Sequence, residues 1–271
     1  MTGADGLVGT GLMSELAERG HEAVSVGSIA QLDVRDRNAV HRRVADLAPD
    51  RIVHLAAVSG PMLQADEPDL VVAVNTVGTV NVLEAARRVG VPVVLAGSIS
   101  GYTKGTPSRP RPASVYGVTK RTVELLAEVY REEYGVRCTT VRIGSVYGPG
   151  RRTPHVLDDM LTSARRGVDV RYAATGMEPL VHERDAGALL AALAGLSRWR
   201  PHYDLVTATV SHADLASEVC RLAGTGSQPR AEEREVYTWP VAFSASELYA
   251  DTGESAAVDV RTGIAELLRR V

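Results

Sequence analysis

Thr2-Gly3-Ala4-Asp5-Gly6-Leu7-Val8-Gly9 is a Gly-x-x-Gly-x-x-Gly loop that runs into an amphipathic stretch with Leu12 and Leu16 and stops at Gly20. Glycines let the backbone turn tightly and approach a ligand. The N-terminus of the helix that follows offers free N–H groups and the positive end of a dipole. That combination suits the pyrophosphate of a dinucleotide. Gly3, Asp5, Gly6, Leu7, Val8 and Gly9 are therefore candidate cofactor contacts. Alone, such a loop is equally a simple turn.

Outward from the loop, strands and helices alternate. Residues 22–27 read as a short strand, and Val40, Val44 and Leu47 make one helical face. Arg51 to Val58 is a near-continuous apolar run, as in a parallel strand buried on both faces. A helix is predicted over 67–89, closing at Gly90, and a strand over Val91 to Ala96. Tyr116 opens a helix that continues through Leu125, Leu126 and Val129 to Gly135, and Cys138 to Gly144 is another strand. This alternation predicts an α/β fold, a doubly wound parallel sheet of Rossmann type with active groups at the strand C-terminal ends. After residue 150 the elements shorten, and Ser211 with Asp214 opens one helix as a capping-box variant. The expected organisation is an NAD(P)-binding domain over 1–150 and a smaller substrate-binding lobe over 151–271.

Tyr116-Gly117-Val118-Thr119-Lys120 carries the chemistry. A Tyr and a Lys four residues apart share one helix face. A phenol titrates near pH 10, and a neighbouring ammonium is expected to lower that value into a useful range. Ser98, at the end of an apolar run, is placed to hydrogen-bond a substrate oxygen at the same point. Together the three groups can pass a proton to or from an alcohol or carbonyl while a hydride moves.

Composition sets bounds. The chain has 271 residues, 45% of them apolar, enough for a large core. A net charge of −3 gives no bulk electrostatic case for nucleic acid or an anionic membrane. Cys138 and Cys220 form no metal spacing and read as buried thiols. His54, His155 and His182 form no metal cluster and read as structural, so no metal is expected. No apolar run approaches the roughly 20 residues of a membrane span, and no secretory signal opens the chain. A cytoplasmic protein is the expectation.

The order of these motifs resembles the extended short-chain dehydrogenase/reductase family, also called the NAD-dependent epimerase/dehydratase family. The resemblance covers nearly the whole chain. Leu32-Asp33-Val34-Arg35-Asp36 is similar to the segment that contacts adenine, and His54-Leu55-Ala56-Ala57 to the fourth-strand motif. Asn75-Thr76-Val77-Gly78-Thr79-Val80-Asn81 is similar to the helix whose first Asn supports a proton relay. Val146-Tyr147-Gly148-Pro149-Gly150, Val181-His182 with Asp185, and Gly263 resemble later family segments. The resemblance implies an NAD(P)-dependent oxidoreductase. In it Tyr116 is the acid or base, Lys120 also bonds the nicotinamide ribose, Ser98 holds the substrate oxygen and Asn75 supports the relay. It adds Ser28, Asp33, Val34, Leu55, Ala56 and Ala57 to the cofactor contacts and Ser145 to the substrate contacts. It also implies a homodimer paired through the helices at 67–89 and 116–134.

Several choices stay open. Gly27 and Ser28 stand where NAD enzymes of this kind place an acidic residue, which leans the cofactor from NAD toward NADP. Family members that take nucleotide sugars often carry Asn before Val-Tyr-Gly-Pro and Arg-Asp before the Val-His segment. Ser145 and Glu178-Pro179 stand at those places here. The family's dehydratases place Asp-Glu after the catalytic Ser or Thr, whereas Ile99-Ser100 follows Ser98. The reading is a reductase or dehydrogenase on a polar, sugar-like substrate. A sugar-nucleotide epimerase and a non-catalytic NAD(P)-binding regulator are the alternatives. Between Gly101 and Arg121 every charge is positive, and the Pro-rich Ser108 to Pro112 segment is expected to be a loop in which Arg109 or Arg111 holds a substrate anion. Only Met1 and Thr2 precede Gly3, where the family has a central first strand. A gap beside the cofactor site, or a start placed too late in the sequence, is the expectation.

Overall fold

The computed structural model describes residues 1–61 and 63–269. Its first elements are α1 (Leu7–Glu18), α2 (Arg37–Leu47), β1 (Ile52–His54), α3 (Pro68–Val72) and α4 (Gly78–Val89). One π-helical stretch, Ala73–Val77, joins α3 to α4 without a break. Then follow β2 (Val93–Ser98), a hairpin of β3 (Lys104–Thr106) and β4 (Arg109–Arg111), α5 (Val115–Glu132), β5 (Cys138–Ile143) and β6 (Ser145–Tyr147). The remainder is α6 (Val156–Arg165), β7 (Val170–Ala173), β8 (Met177–His182), α7 (Glu183–Gly195), β9 (His202–Leu205), β10 (Ala208–Ser211), α8 (His212–Ala223), β11 (Pro229–Glu232), α9 (Ser246–Thr252) and α10 (Val260–Arg269).

The main sheet runs β1-β2-β5-β9, all parallel. Apolar side chains fill both of its faces. Leu12, Val94, Val141, Leu189, Leu193 and Tyr203 pack on the α1 and α7 side, and Val40, Leu83, Leu95, Val123 and Ala127 on the α2, α4 and α5 side. Helices therefore cover the sheet on both faces, which is the doubly wound arrangement expected. By length and composition alone, Pro68–Val89 is apolar enough to cross a membrane. Val71, Val82, Leu83, Ala85 and Ala86 of that helix are buried, as in a core helix.

Met1 and Thr2 occupy the place of the first strand. Thr2 bridges Val26 on one side and His54 on the other, both parallel. Thr2 N donates to Val53 O at 3.1 Å, Leu55 N to Thr2 O at 3.2 Å, Val26 N to Met1 O at 2.8 Å and Gly3 N to Val26 O at 3.1 Å. The expected gap is thus bridged. The strand expected over 22–27 is reduced to the single bridge at Val26, because its neighbour offers only two residues to pair with.

The division expected at residue 150 does not coincide with the end of the sheet. β9 returns to it beside β5, and α7 packs against α1. The other lobe is built on β10-β8-β6, the pair β11-β7, and a core of Tyr147, Leu157, Met160, Leu180, Leu215, Val219 and Ile264. Ser211 caps α8 by accepting from Asp214 N at 3.0 Å, as the capping-box reading expects.

One buried charge network ties α5 to the sheet. Glu124 Oε2 accepts from Arg121 at 2.9 Å and Arg142 at 3.0 Å, and Tyr102 Oη also donates to it. The Tyr102 ring lies between the two guanidinium groups. Removing the carboxylate leaves Arg142, whose side chain is only 16% exposed, with the longer pair to Asp204 Oδ1 at 3.4 Å. Glu124→Ala is expected to cost about 3 kcal/mol in urea unfolding, the usual size for breaking a buried pair, with Glu124→Gln costing less.

Candidate active site

A cavity of about 1370 Å³ opens over the C-terminal ends of β1, β2 and β5. The glycine loop forms one end. Gly3 has φ +70°, and a Cβ there would lie 2.6 Å from Ala56 N. A Cβ on Gly9 would lie 2.2 Å from Gly3 O. The loop therefore presses on itself and on the Leu55–Ala56 backbone, a cradle that any side chain would fill. Gly6 is the N-cap of α1 and supplies no side-chain cap, so the first helical N–H groups open on the cavity wall. These features fit the pyrophosphate of a dinucleotide. Asp5, Ser28, Asp33, Val34, Leu55, Ala56 and Ala57 line the same end.

Details of that end were not legible in the sequence. Gln31 Oε1 accepts from Gly27 N at 2.7 Å and caps the segment where an acidic residue was sought. Asp5 supplies an acid there instead. A Cβ on Gly27 would fall 2.1 Å from Asp5 Oδ1, so this carboxylate lies directly against Gly27. Asn81 Nδ2 donates to the carbonyls of Val34 and Arg35 and fixes the Asp33 loop. The Arg35 guanidinium holds the Asp33 carboxyl below the usual carboxylate range. Beneath the loop, His54 bonds Thr2 and Thr79 at 2.7 and 3.2 Å, and burial pushes its pKa down to about 3. His54 is a neutral structural residue, as read.

Ser98, Tyr116 and Lys120 come together in the middle of the cavity. β2 ends at Ser98, and Ser114 caps α5 by accepting from Gly117 N, which sets Tyr116 in the first turn. Burial pushes the Tyr116 phenol up; the hydroxyls of Ser98 and Ser59, Gly60 and the Arg151 charge pull the other way. The net direction is upward, where the sequence reading expects a lowered phenol. The Lys120 ammonium lies 5.8 Å from the Tyr116 ring centroid and donates to Ala96 O at 2.8 Å. Burial pushes its own pKa down to about 8. Ser59 has no sequence signal beyond its place after the Ala56-Ala57 segment.

Three expected contacts stand elsewhere. Asn75 is buried and does not line the cavity; its amide accepts from Val58 N at 2.8 Å and donates to Val58 O and Thr119 Oγ1, each at 3.1 Å. It positions the π-helical turn, the β1 loop and α5 against one another. Arg109 and Arg111 lie exposed on β4, outside the cavity lining, and the Pro-rich segment is a hairpin strand rather than a loop. Arg151, Arg152 and Arg234 supply guanidinium groups at the cavity's far end, and Arg184 lines the cavity too.

At that end Ser145 Oγ meets His155 Nε2 at 2.9 Å. Glu178 faces the Nε2 atoms of His155 and His212 at 3.6 and 3.4 Å. His155 is therefore part of the cavity wall, which the structural reading of it missed. The cluster is assembled from β6, β8, the turn before α6 and the start of α8, so no local motif announces it.

The NAD dependent epimerase/dehydratase family model matches residues 1–203. A UDP-glucose 4-epimerase of Mycolicibacterium smegmatis is 31% identical over 182 residues, 57% of this chain and 58% of that one. The chain thus spans less than two thirds of the length of that relative. Among solved structures, the Thermus thermophilus UDP-glucose 4-epimerase complex with NAD superposes with TM-score 0.80 at 24% identity, covering 100% of this chain and 98% of that one. L-threonine 3-dehydrogenase of Trypanosoma brucei superposes with TM-score 0.82 at 22% identity, covering 99% and 95%. Both share the fold. With the glycine cradle and the Ser98, Tyr116 and Lys120 group in place, the chain belongs to the NAD dependent epimerase/dehydratase family.

Proposed function

We propose that this chain carries out reversible oxidation and reduction at a secondary alcohol carbon of a polar, sugar-like substrate, with Tyr116 moving the proton. The observation that supports it is the convergence, in one cavity, of the Tyr116 phenol, the Ser98 and Ser59 hydroxyls, Lys120 and the glycine cradle. NAD, when bound, supplies or takes the hydride. Gly3, Gly6 and Gly9 with the N-terminus of α1 would hold its pyrophosphate, and Asp33 and Val34 its adenine end. Ser98 and Ser59 hold the oxygen that Tyr116 protonates or deprotonates. With its phenol pushed up, Tyr116 starts as the protonated acid, suited to reduction. Lys120 supplies the positive charge beside it. A screen of reduced and oxidised cofactor against ketosugars, hydroxy acids and nucleotide sugars, read by nicotinamide absorbance, tests the proposal. No turnover on any class would favour the regulator reading. Epimerisation is the second reading, supported by the UDP-glucose 4-epimerase among the relatives.

Asp5 reverses the lean toward NADP. Its carboxylate against Gly27 supports NAD, because a ribose 2′-phosphate there meets a like charge while a ribose diol gains an acceptor. NADP is expected to bind at least about 10-fold more weakly than NAD, and Asp5→Asn to narrow the gap by about the same factor. Calorimetric titration of both cofactors into both proteins checks this. Equal affinities in the unaltered chain would sink it.

The homodimer reading also has support. Val118 of α5 is 50% exposed and Leu125 likewise 50%, and with Val115 and Val129 they make an apolar stripe beside exposed Val72 and Val77. A second copy meeting this face buries both stripes. Light scattering at micromolar concentration is expected to give a dimer, and Leu125→Glu a monomer. A monomer from the unaltered chain would contradict it.

A further inference from the structure

We infer that Glu178 sets the substrate class of this cavity, selecting an uncharged, hydroxyl-bearing substrate and rejecting a diphosphate. This rests on the reading of the cavity as an oxidoreductase site and narrows it. Glu178 lies on β8 with its side chain 12% exposed, and that exposed part belongs to the cavity wall. The hydrogen bonds of His155 and His212 hold the carboxyl ionised against the cost of burial, at about 2.

Both imidazoles turn Nε2 toward the carboxylate. His155 Nδ1 accepts from Leu157 N at 3.3 Å, which leaves the proton on Nε2, facing Ser145 and Glu178. The ring is no relay for a nucleophilic serine, because the carboxylate and the serine share the same ring nitrogen. His212 turns Nε2 to Glu178, and its Nδ1 is buried with no partner. The ring sits over Gly176, where a Cβ would fall 2.1 Å from Nδ1. A proton on Nδ1 would be an unsatisfied buried donor. Glu178 stays a carboxylate.

Arg151 is a half-buried cation at this end: its N–H groups bond the carbonyls of Val146, Thr153 and Pro154, and its charge acts on Glu178 and Asp158. Arg152 and Arg234 are exposed at the rim, beside Glu235. A diphosphate placed against Glu178 meets a like charge in a poorly screened wall. Sugar hydroxyls instead donate to a carboxylate, a charge-assisted bond. Glu178 is a specificity-determining residue, and Ser145, His155 and His212 position it.

Calorimetry with UDP and uridine as probes tests this, with NAD titrated first as a separate measurement. Failure of NAD to bind strikes the oxidoreductase reading alone, because the comparison of Glu178 variants is read with or without it. In the NAD-loaded unaltered protein, UDP is expected to bind no tighter than uridine. Glu178→Gln, which keeps shape and removes charge, is expected to tighten UDP at least about 10-fold, weaken uridine and leave NAD within about twofold. UDP binding tighter than uridine in the unaltered protein, or Glu178→Gln leaving UDP unchanged, overturns the inference. Should Glu178→Gln fail to fold, the UDP and uridine comparison on the unaltered protein decides alone.

Discussion

Tyr116→Phe is expected to lower turnover at least about 100-fold, the usual weight of a positioned acid or base, while the affinity for NAD stays within about twofold. The Ser98 and Ser59 hydroxyls and the Gly60 backbone all approach the phenol oxygen. The ring itself packs beside Lys120, and Phe keeps that ring. The change therefore removes the proton and little else. Steady-state rates on any substrate found by the cofactor screen, paired with NAD calorimetry, separate the two effects. An unchanged rate would remove Tyr116 from the mechanism. A lost NAD affinity would make its role structural.

Gly9→Ala is expected to weaken NAD binding at least about 100-fold, or to lower the melting temperature so far that binding cannot be measured. A Cβ at Gly9 would sit 2.2 Å from Gly3 O and 2.8 Å from Ala4 Cα, and both neighbours are backbone. The loop has no flexible side chain to move aside, so it must open, and the cradle opens with it. Gly11→Ala, in the same helix, meets Glu183 O at 3.4 Å and Gly187 Cα at 3.8 Å, both without a clash of the Gly9 size, and serves as the control. Normal NAD affinity in Gly9→Ala would mean that the loop does not hold the cofactor.

The alternation of elements was legible because parallel strands buried on both faces leave continuous apolar runs, and those runs are β2 and β5. Lengths were less legible. Arg51 to Val58 reads as one strand, yet only Ile52–His54 pairs with β2, and Leu55, Ala56 and Ala57 become cavity wall. The 22–27 segment reads as a strand because propensity is local, while pairing depends on how much partner Met1 and Thr2 provide. Arg109 and Arg111 show the limit of charge counting. Their sign was read correctly, but which side of a hairpin faces the cavity is a tertiary fact. Ser98, Tyr116 and Lys120 were legible because their spacing and order carry the chemistry. Asp5 against Gly27, and Glu178 between His155 and His212, were not, since each pairs residues from separate segments that meet only in the fold.

The most direct test of hydride transfer at this site is the absorbance of reduced nicotinamide on mixing the protein with NAD and a panel of uncharged polyhydroxy alcohols. The signal is expected to rise with at least one of them in the unaltered protein and to stay flat with Tyr116→Phe. No signal with any alcohol or matching ketone, from protein shown by calorimetry to hold NAD, would contradict the account.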